Sequence, residues 1–166
     1  NHFMTLADAS FHNLRSREHS YGGRFKHFGA YNPSENNTFS QFSENKLNLY
    51  GTKFLEDHSI SGDAFHSRDV THFYGYDPAL FENITKSSIR QRFATTGGKV
   101  EVMSFFKDSS VINYVTSLNY YNLIDLYKAE ENNLLLNADL HKFYGKEDIG
   151  LSASFDYNNF KNIFDS

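Results

Sequence analysis

The chain has 166 residues, no cysteine and a net charge of −4; aromatics make up 17% of it, yet only 39% is hydrophobic and the mean hydropathy is −0.58. That length suits one domain spanning 1–166 with no dividing linker. The missing cysteines exclude a disulfide framework, a thiolate nucleophile and a Cys-based zinc site, the interspersed charges exclude a phosphate-neutralising basic stripe and so a nucleic-acid partner, and no apolar run approaches the ~18 residues of a spanning helix.

Asn1-His2-Phe3-Met4 carries neither the charged nor the apolar region of a signal peptide, so an export signal is expected upstream. A first strand is predicted over 6–15, followed by a short turn at Arg15-Ser16-Arg17-Glu18. The second, over 20–31, sets Tyr21, Gly23 and Phe25 against Arg24 and Lys26, and a polar loop around Pro33 ends it. The third, over 42–54, sets Leu47 and Leu49 against Lys46 and Asn48; after Leu55-Glu56-Asp57 a fourth, over 58–74, sets Ile60, Gly62 and Ala64 against Ser61 and Asp63. A second long loop surrounds Pro78.

The fifth segment, 87–106, changes parity: Ile89 and Phe93 are odd-numbered, Val100 and Val102 even, with Thr95-Thr96-Gly97-Gly98 between. A bulge there is preferred to a Gly-Gly hairpin, because it keeps short and long connections alternating. Past Lys107-Asp108-Ser109 the sixth segment, 110–124, alternates Ile112, Tyr114, Leu118 and Tyr120 with Asn113, Ser117 and Asn119. A longer loop is expected around Lys128-Ala129-Glu130-Glu131, then a seventh strand over 131–142 with Leu134, Leu136 and Leu140 opposed to Asn137, Asp139 and His141. After Tyr144-Gly145-Lys146 comes the clearest alternation, over 147–160, where Ile149, Leu151 and Phe155 oppose Ser152, Ser154 and Asp156.

The fold expected is all-β: an antiparallel up-and-down meander of about eight long strands, either a transmembrane β-barrel or an arc of a larger one, the start at Asn1 and the end at Ser166 favouring the arc. Segments beyond ten residues suit a bilayer better than soluble strands of ~5–6 residues, and aromatics gather near their ends, as at Phe73-Tyr74 and Phe143-Tyr144. Lipid-facing positions would be Leu47, Leu49, Ile112, Tyr114, Leu118, Leu134, Leu136, Leu140, Ile149, Leu151 and Phe155. Lumen-facing polar positions would be Lys46, Asn48, Asp63, Arg90, Arg92, Asn113, Ser117, Asn119, Asn137, Asp139, His141, Ser152, Ser154 and Asp156.

The segments Ser10–Gly29, Val70-Thr71-His72-Phe73-Tyr74-Gly75-Tyr76-Asp77-Pro78 and Tyr120–Asn133 resemble the TonB-dependent-receptor-like outer-membrane β-barrel proteins of the bacteroidete type, over most of the chain. The resemblance implies a cell outer-membrane location, outer-membrane lipid around the barrel, a periplasmic or plug partner, and a role in a receptor or transporter for solute uptake. The chain departs from that pattern in having no plug domain, no TonB-box-like segment and too few strands for a large receptor barrel, so energy-coupled uptake does not follow from these residues.

Chemistry-bearing constellations are sparse, and no enzyme, cofactor or metal is expected. His66 and His72 share a strand face but stand roughly 20 Å apart, too far for one ion. His12, His19 and His27 flank one turn, and Ser61 with His58 is a nucleophile–base pair only by elimination, with no Gly-x-Ser-x-Gly elbow to support it. The sequons Asn36-Asn37-Thr38 and Asn83-Ile84-Thr85 are read as chance. Two readings of the apolar face remain open: facing lipid, or packed inside a soluble β-barrel or sandwich that binds a small ligand or glycan.

Overall fold

A computed structural model describes residues 3–13, 16–31, 41–73, 85–108, 110–145 and 147–162. Eight strands, β1 (Phe3–His12), β2 (His19–Tyr31), β3 (Phe42–Phe54), β4 (His58–His72), β5 (Arg90–Ser104), β6 (Asn113–Asp125), β7 (Glu130–Tyr144) and β8 (Glu147–Lys161), form one sheet in chain order, and no helix is present among the described residues. Every neighbouring pair is antiparallel. Among the described residues β1 and β8 pair with no further strand, so the sheet is not closed into a barrel and both outer edges are open.

Two expectations need correction. β5 pairs with β4 in one unbroken register from His72↔Arg90 to His58↔Ser104, and with β6 from Phe93↔Asp125 to Met103↔Val115, so no bulge interrupts it. The apparent change of parity arises because Ile89 precedes the strand and Phe93 lies near its end on the polar face, where an aromatic ring is tolerated. The connections also fail to alternate throughout: 13–18, 32–41, 55–57 and 73–89 run short, long, short, long, but 105–112 then exceeds 126–129, and 145–146 is a two-residue loop. Asp125 tightens the 126–129 turn, its Oδ1 accepting the N–H groups of Tyr127 and Ala129 at 2.8 Å each, while Gly145 supplies the positive φ of 65° that the last hairpin needs. The loops around Pro33 and Pro78, most of both sequons and Tyr74–Pro78 of the resemblance lie outside the described residues.

The sheet has almost no interior. Val70 and Ile89 are the buried hydrophobics, and no side chain among the described residues is fully enclosed. The chain exposes 12294 Å², whereas a compact monomer of its 19.2 kDa exposes about 8400 Å². A sheet that buries this little of itself requires an environment that covers at least one of its faces.

Candidate functional site

The registers sort the side chains into two faces, since directly paired residues project to the same side. One face carries Asp8, Arg24, Lys26, Glu44, Lys46, Asp63, Asp69, Lys99 and Glu101 on β1 to β5 and continues through Ser117, Asn137 and Ser154. Arg24 grips Asp8 with two N–H donors, Lys46 pairs with Glu44, and Lys99 meets Glu101 at 2.7 Å. Tyr121 Oη donates to Glu131 at 2.7 Å, Asn133 Nδ2 to Asp156 at 2.7 Å and Ser154 Oγ to Asn137 at 2.8 Å. Such solvated pairs add little to stability, so their main effect is to fix a polar lining rather than to hold the fold together.

Two glycines on this polar face sit beneath aromatic rings of the neighbouring strand. Gly22 faces Tyr50 and Gly97 faces Phe65 across the ladder. A Cβ on Gly22 would lie 2.6 Å from Tyr50 Cζ, and one on Gly97 would lie 2.8 Å from Phe65 Cζ. The rings occupy the space where a side chain would stand, which pins the register at both ends of the β2–β5 segment.

The opposite face carries an apolar band bounded by polar residues. The band runs through Ala7, Ala9 and Phe11 on β1, Leu47 and Leu49 on β3, Val100 and Val102 on β5, Leu134, Leu136, Ala138 and Leu140 on β7 and Ile149 to Tyr157 on β8. One border is a hydrogen-bonded collar: His27 joins Thr5 at 3.1 Å and Asn45 at 2.7 Å, His66 joins Thr96 at 2.8 Å, and Asn122 donates to Glu130 at 2.8 Å and Asn132 at 3.0 Å. The other border holds His19, Lys53 and His58, the last edge-on to Phe106 at 5.0 Å.

The band crosses the strands obliquely. On β1 it lies between Thr5 and Asn13 and centres on Ala9, which the registers carry across the sheet to Asn159. On β8 it lies between Glu147 and Asn159 and centres on Ala153, six residues away. Six residues of ~3.3 Å over seven strand spacings of ~4.8 Å incline the band by about 30°.

Of the positions expected to line a lumen, Lys46, Asn48, Asp63, Asn113, Ser117, Asn119, Asn137, Asp139, His141, Ser152, Ser154 and Asp156 share the polar face. Arg90 and Arg92 do not: they pair with His72 and Val70 on the other face, a correction that follows from the missing bulge. Leu47, Leu49, Tyr114, Leu118, Leu134, Leu136, Leu140, Ile149, Leu151 and Phe155 share the apolar face, and Ile112 lies exposed just before β6.

The remaining candidate constellations are not assembled. Ser61 and His58 project from opposite faces of β4, so no proton can pass between them. His12 lies on the polar face, while His19 and His27 lie on the other, engaged with Ser16 and with Thr5 and Asn45. Among the described residues no group of three potential metal ligands converges.

In the 105–112 turn, Asp108 Oδ1 accepts the Ser110 N–H at 2.8 Å, and this backbone contact, aided by the Ser110 hydroxyl, holds the carboxyl below the ordinary 3.8. A depressed carboxylate stabilises the folded turn fully above that ordinary value and ceases to do so as pH falls through the folded one. Amide exchange at Ser110, corrected for its intrinsic pH dependence, is therefore expected to show protection at neutral pH that disappears on acidification; pH-independent protection would remove this role.

The chain matches no protein-family model, and no curated protein or solved structure resembles it. What it defines by itself is a class: a single antiparallel meander sheet, polar on one face, apolar in an oblique band on the other, and open at both edges.

Proposed function

We propose that this sheet is a wall sector of an outer-membrane β-barrel, with the apolar band against lipid and the charged face toward the lumen. The observation that carries the reading is the inclination of the band. Strands of transmembrane barrels tilt by ~35–45° from the barrel axis, so a band held level with the membrane must run obliquely across the strand rows. The slant of about 30° approaches that tilt.

Other features point the same way. Strands of 10 to 15 residues reach or exceed the ~9–11 a tilted crossing needs. The unpaired edges of β1 and β8 suit continuation into neighbouring strands. At the level of class, the role is solute passage or reception, with the polar face setting which solutes are tolerated.

Because the chain contains no Trp, one introduced indole reports on one position. Leu136→Trp, reconstituted in vesicles, is expected to emit blue-shifted fluorescence that brominated lipid quenches, whereas Asn137→Trp on the opposite face escapes quenching. Equal quenching, or none at either site, would transfer the apolar band to a protein interior and make a soluble ligand-binding β-domain the better account.

A further inference from the structure

The two faces differ in charge as well as polarity. On β1 to β6 every carboxylate, Asp8, Glu44, Asp63, Asp69, Glu101 and Asp125, lies on the polar face. On the apolar face the same six strands carry cations and histidines and no acid. Three of those cations, Arg68, Arg90 and Arg92, gather on β4 and β5 beyond the polar collar, at the end from which the two longest connections, 32–41 and 73–89, depart.

These arginines are unlike the cations across the sheet. Arg24, Lys46 and Lys99 on the polar face each hold a carboxylate, while Arg68, Arg90 and Arg92 have no ion-pair partner among the described residues. Arg68 and Arg90 line an open cleft of about 580 Å³ together with Lys86 and His72. His72 is 8% exposed; its Nδ1 meets the Gln41 carbonyl at 3.1 Å, but its buried Nε2 has no partner, and neither has Arg92 Nε beside it. The Arg92 Nε–H is a buried donor left without an acceptor, which is costly, and with the unpaired Arg68 and Arg90 beside it this corner suits an anion.

We infer that the corner formed by Arg68, His72, Lys86, Arg90 and Arg92 binds the phosphate of an outer-leaflet glycolipid headgroup. The inference rests on the membrane reading above. It follows from position: on the face proposed to meet lipid, Arg68 is the next side chain beyond His66 of the collar, Arg92 and Arg90 continue outward on β5 beyond Thr96 and Ala94, in the direction of the headgroups, and longer connections mark the extracellular end of such barrels. Planar guanidinium forks suit bidentate contact with phosphate oxygens, and the lack of any carboxylate on this side of β4 and β5 leaves them free to make it. The acyl chains of the same lipid would lie along the band below.

The test uses the full chain folded in neutral detergent micelles and titrated with fluorescent bisphosphorylated lipid A, read by anisotropy. Arg68→Gln/Arg90→Gln/Arg92→Gln is expected to weaken binding about 100-fold, given the contribution of each basic side chain at an anionic headgroup. The triple lysine variant should retain most of the affinity, and Lys26→Gln on the polar face should change nothing. Dephosphorylated glycolipid should bind the natural chain as weakly as it binds the glutamine variant. Unchanged lipid A binding by a folded glutamine variant would overturn the inference, as would full displacement by inorganic phosphate, which would identify a soluble anion instead. The Leu136→Trp quench in neutral vesicles separates the failures. If it is present while lipid A binding ignores the arginines, only this inference falls; if it is absent, the barrel reading falls with it.

Discussion

Leu136→Arg is expected to cost about 2–4 kcal/mol of folding free energy in a bilayer, while Asn137→Arg, one residue along the same strand, costs close to nothing. Leu136 stands between Leu118 and Phe155 in the middle of the apolar band, so a guanidinium there would have to leave the hydrocarbon or carry water into it. Asn137 lies on the reverse face and accepts a hydrogen bond from Ser154 at 2.8 Å, in surroundings that already accommodate charge. Urea titration of both variants folded into lipid vesicles measures the difference. Similar midpoints for the two would show that neither face meets lipid, and would count against the barrel more directly than any loss of function.

Gly97→Val is expected to destabilise the sheet by about 1–3 kcal/mol or more through overpacking. The new Cβ would fall inside contact distance of the Tyr120 carbonyl oxygen and 2.8 Å from the Phe65 ring. The backbone contact cannot be relieved by a rotamer change, whereas the ring can move. The double variant Phe65→Ala/Gly97→Val should therefore recover part of the loss but not all of it, a coupling readable from the two singles and the double in one denaturant series. Additive effects would mean that the ring does not rest on the glycine.

Much of this architecture was legible in the residues. The third strand begins and ends where its alternation does, because Leu47 and Leu49 flanked by Lys46 and Asn48 allow one phase only, and the same holds for Leu134 to Leu140 and Ile149 to Phe155. The fifth strand was misread around its glycines. Gly97 and Gly98 have no side chains to declare a face, so the odd-numbered Ile89 and Phe93 set against Val100 and Val102 suggest a bulge, and that phase error puts Arg90 and Arg92 on the wrong side of the sheet. The residues Lys128-Ala129-Glu130-Glu131 suggest a longer loop, but Glu130 already opens β7; the Asp125 carboxylate that closes the 126–129 turn is a local contact that composition does not reveal. The oblique band and the one-signed corner were beyond reach in principle. Both depend on which residues stand side by side on different strands, and pairing register is a non-local property.

The edges of the sheet have a consequence for the chain when it stands alone in water. β8 is exposed along all of its 15 residues and β1 along all of its 10, and each presents a row of backbone donors and acceptors with no partner strand among the described residues. Neither proline nor a bulge blunts them. Long, regular edges of this kind recruit other strands, including those of a second copy, so one chain can dock its β1 edge on the β8 edge of the next and repeat without limit. Polymer growth outside the membrane and ring closure within it would then draw on the same hydrogen-bonding capacity, and what separates them is whether lipid is present to shelter the apolar band while the ring is completed.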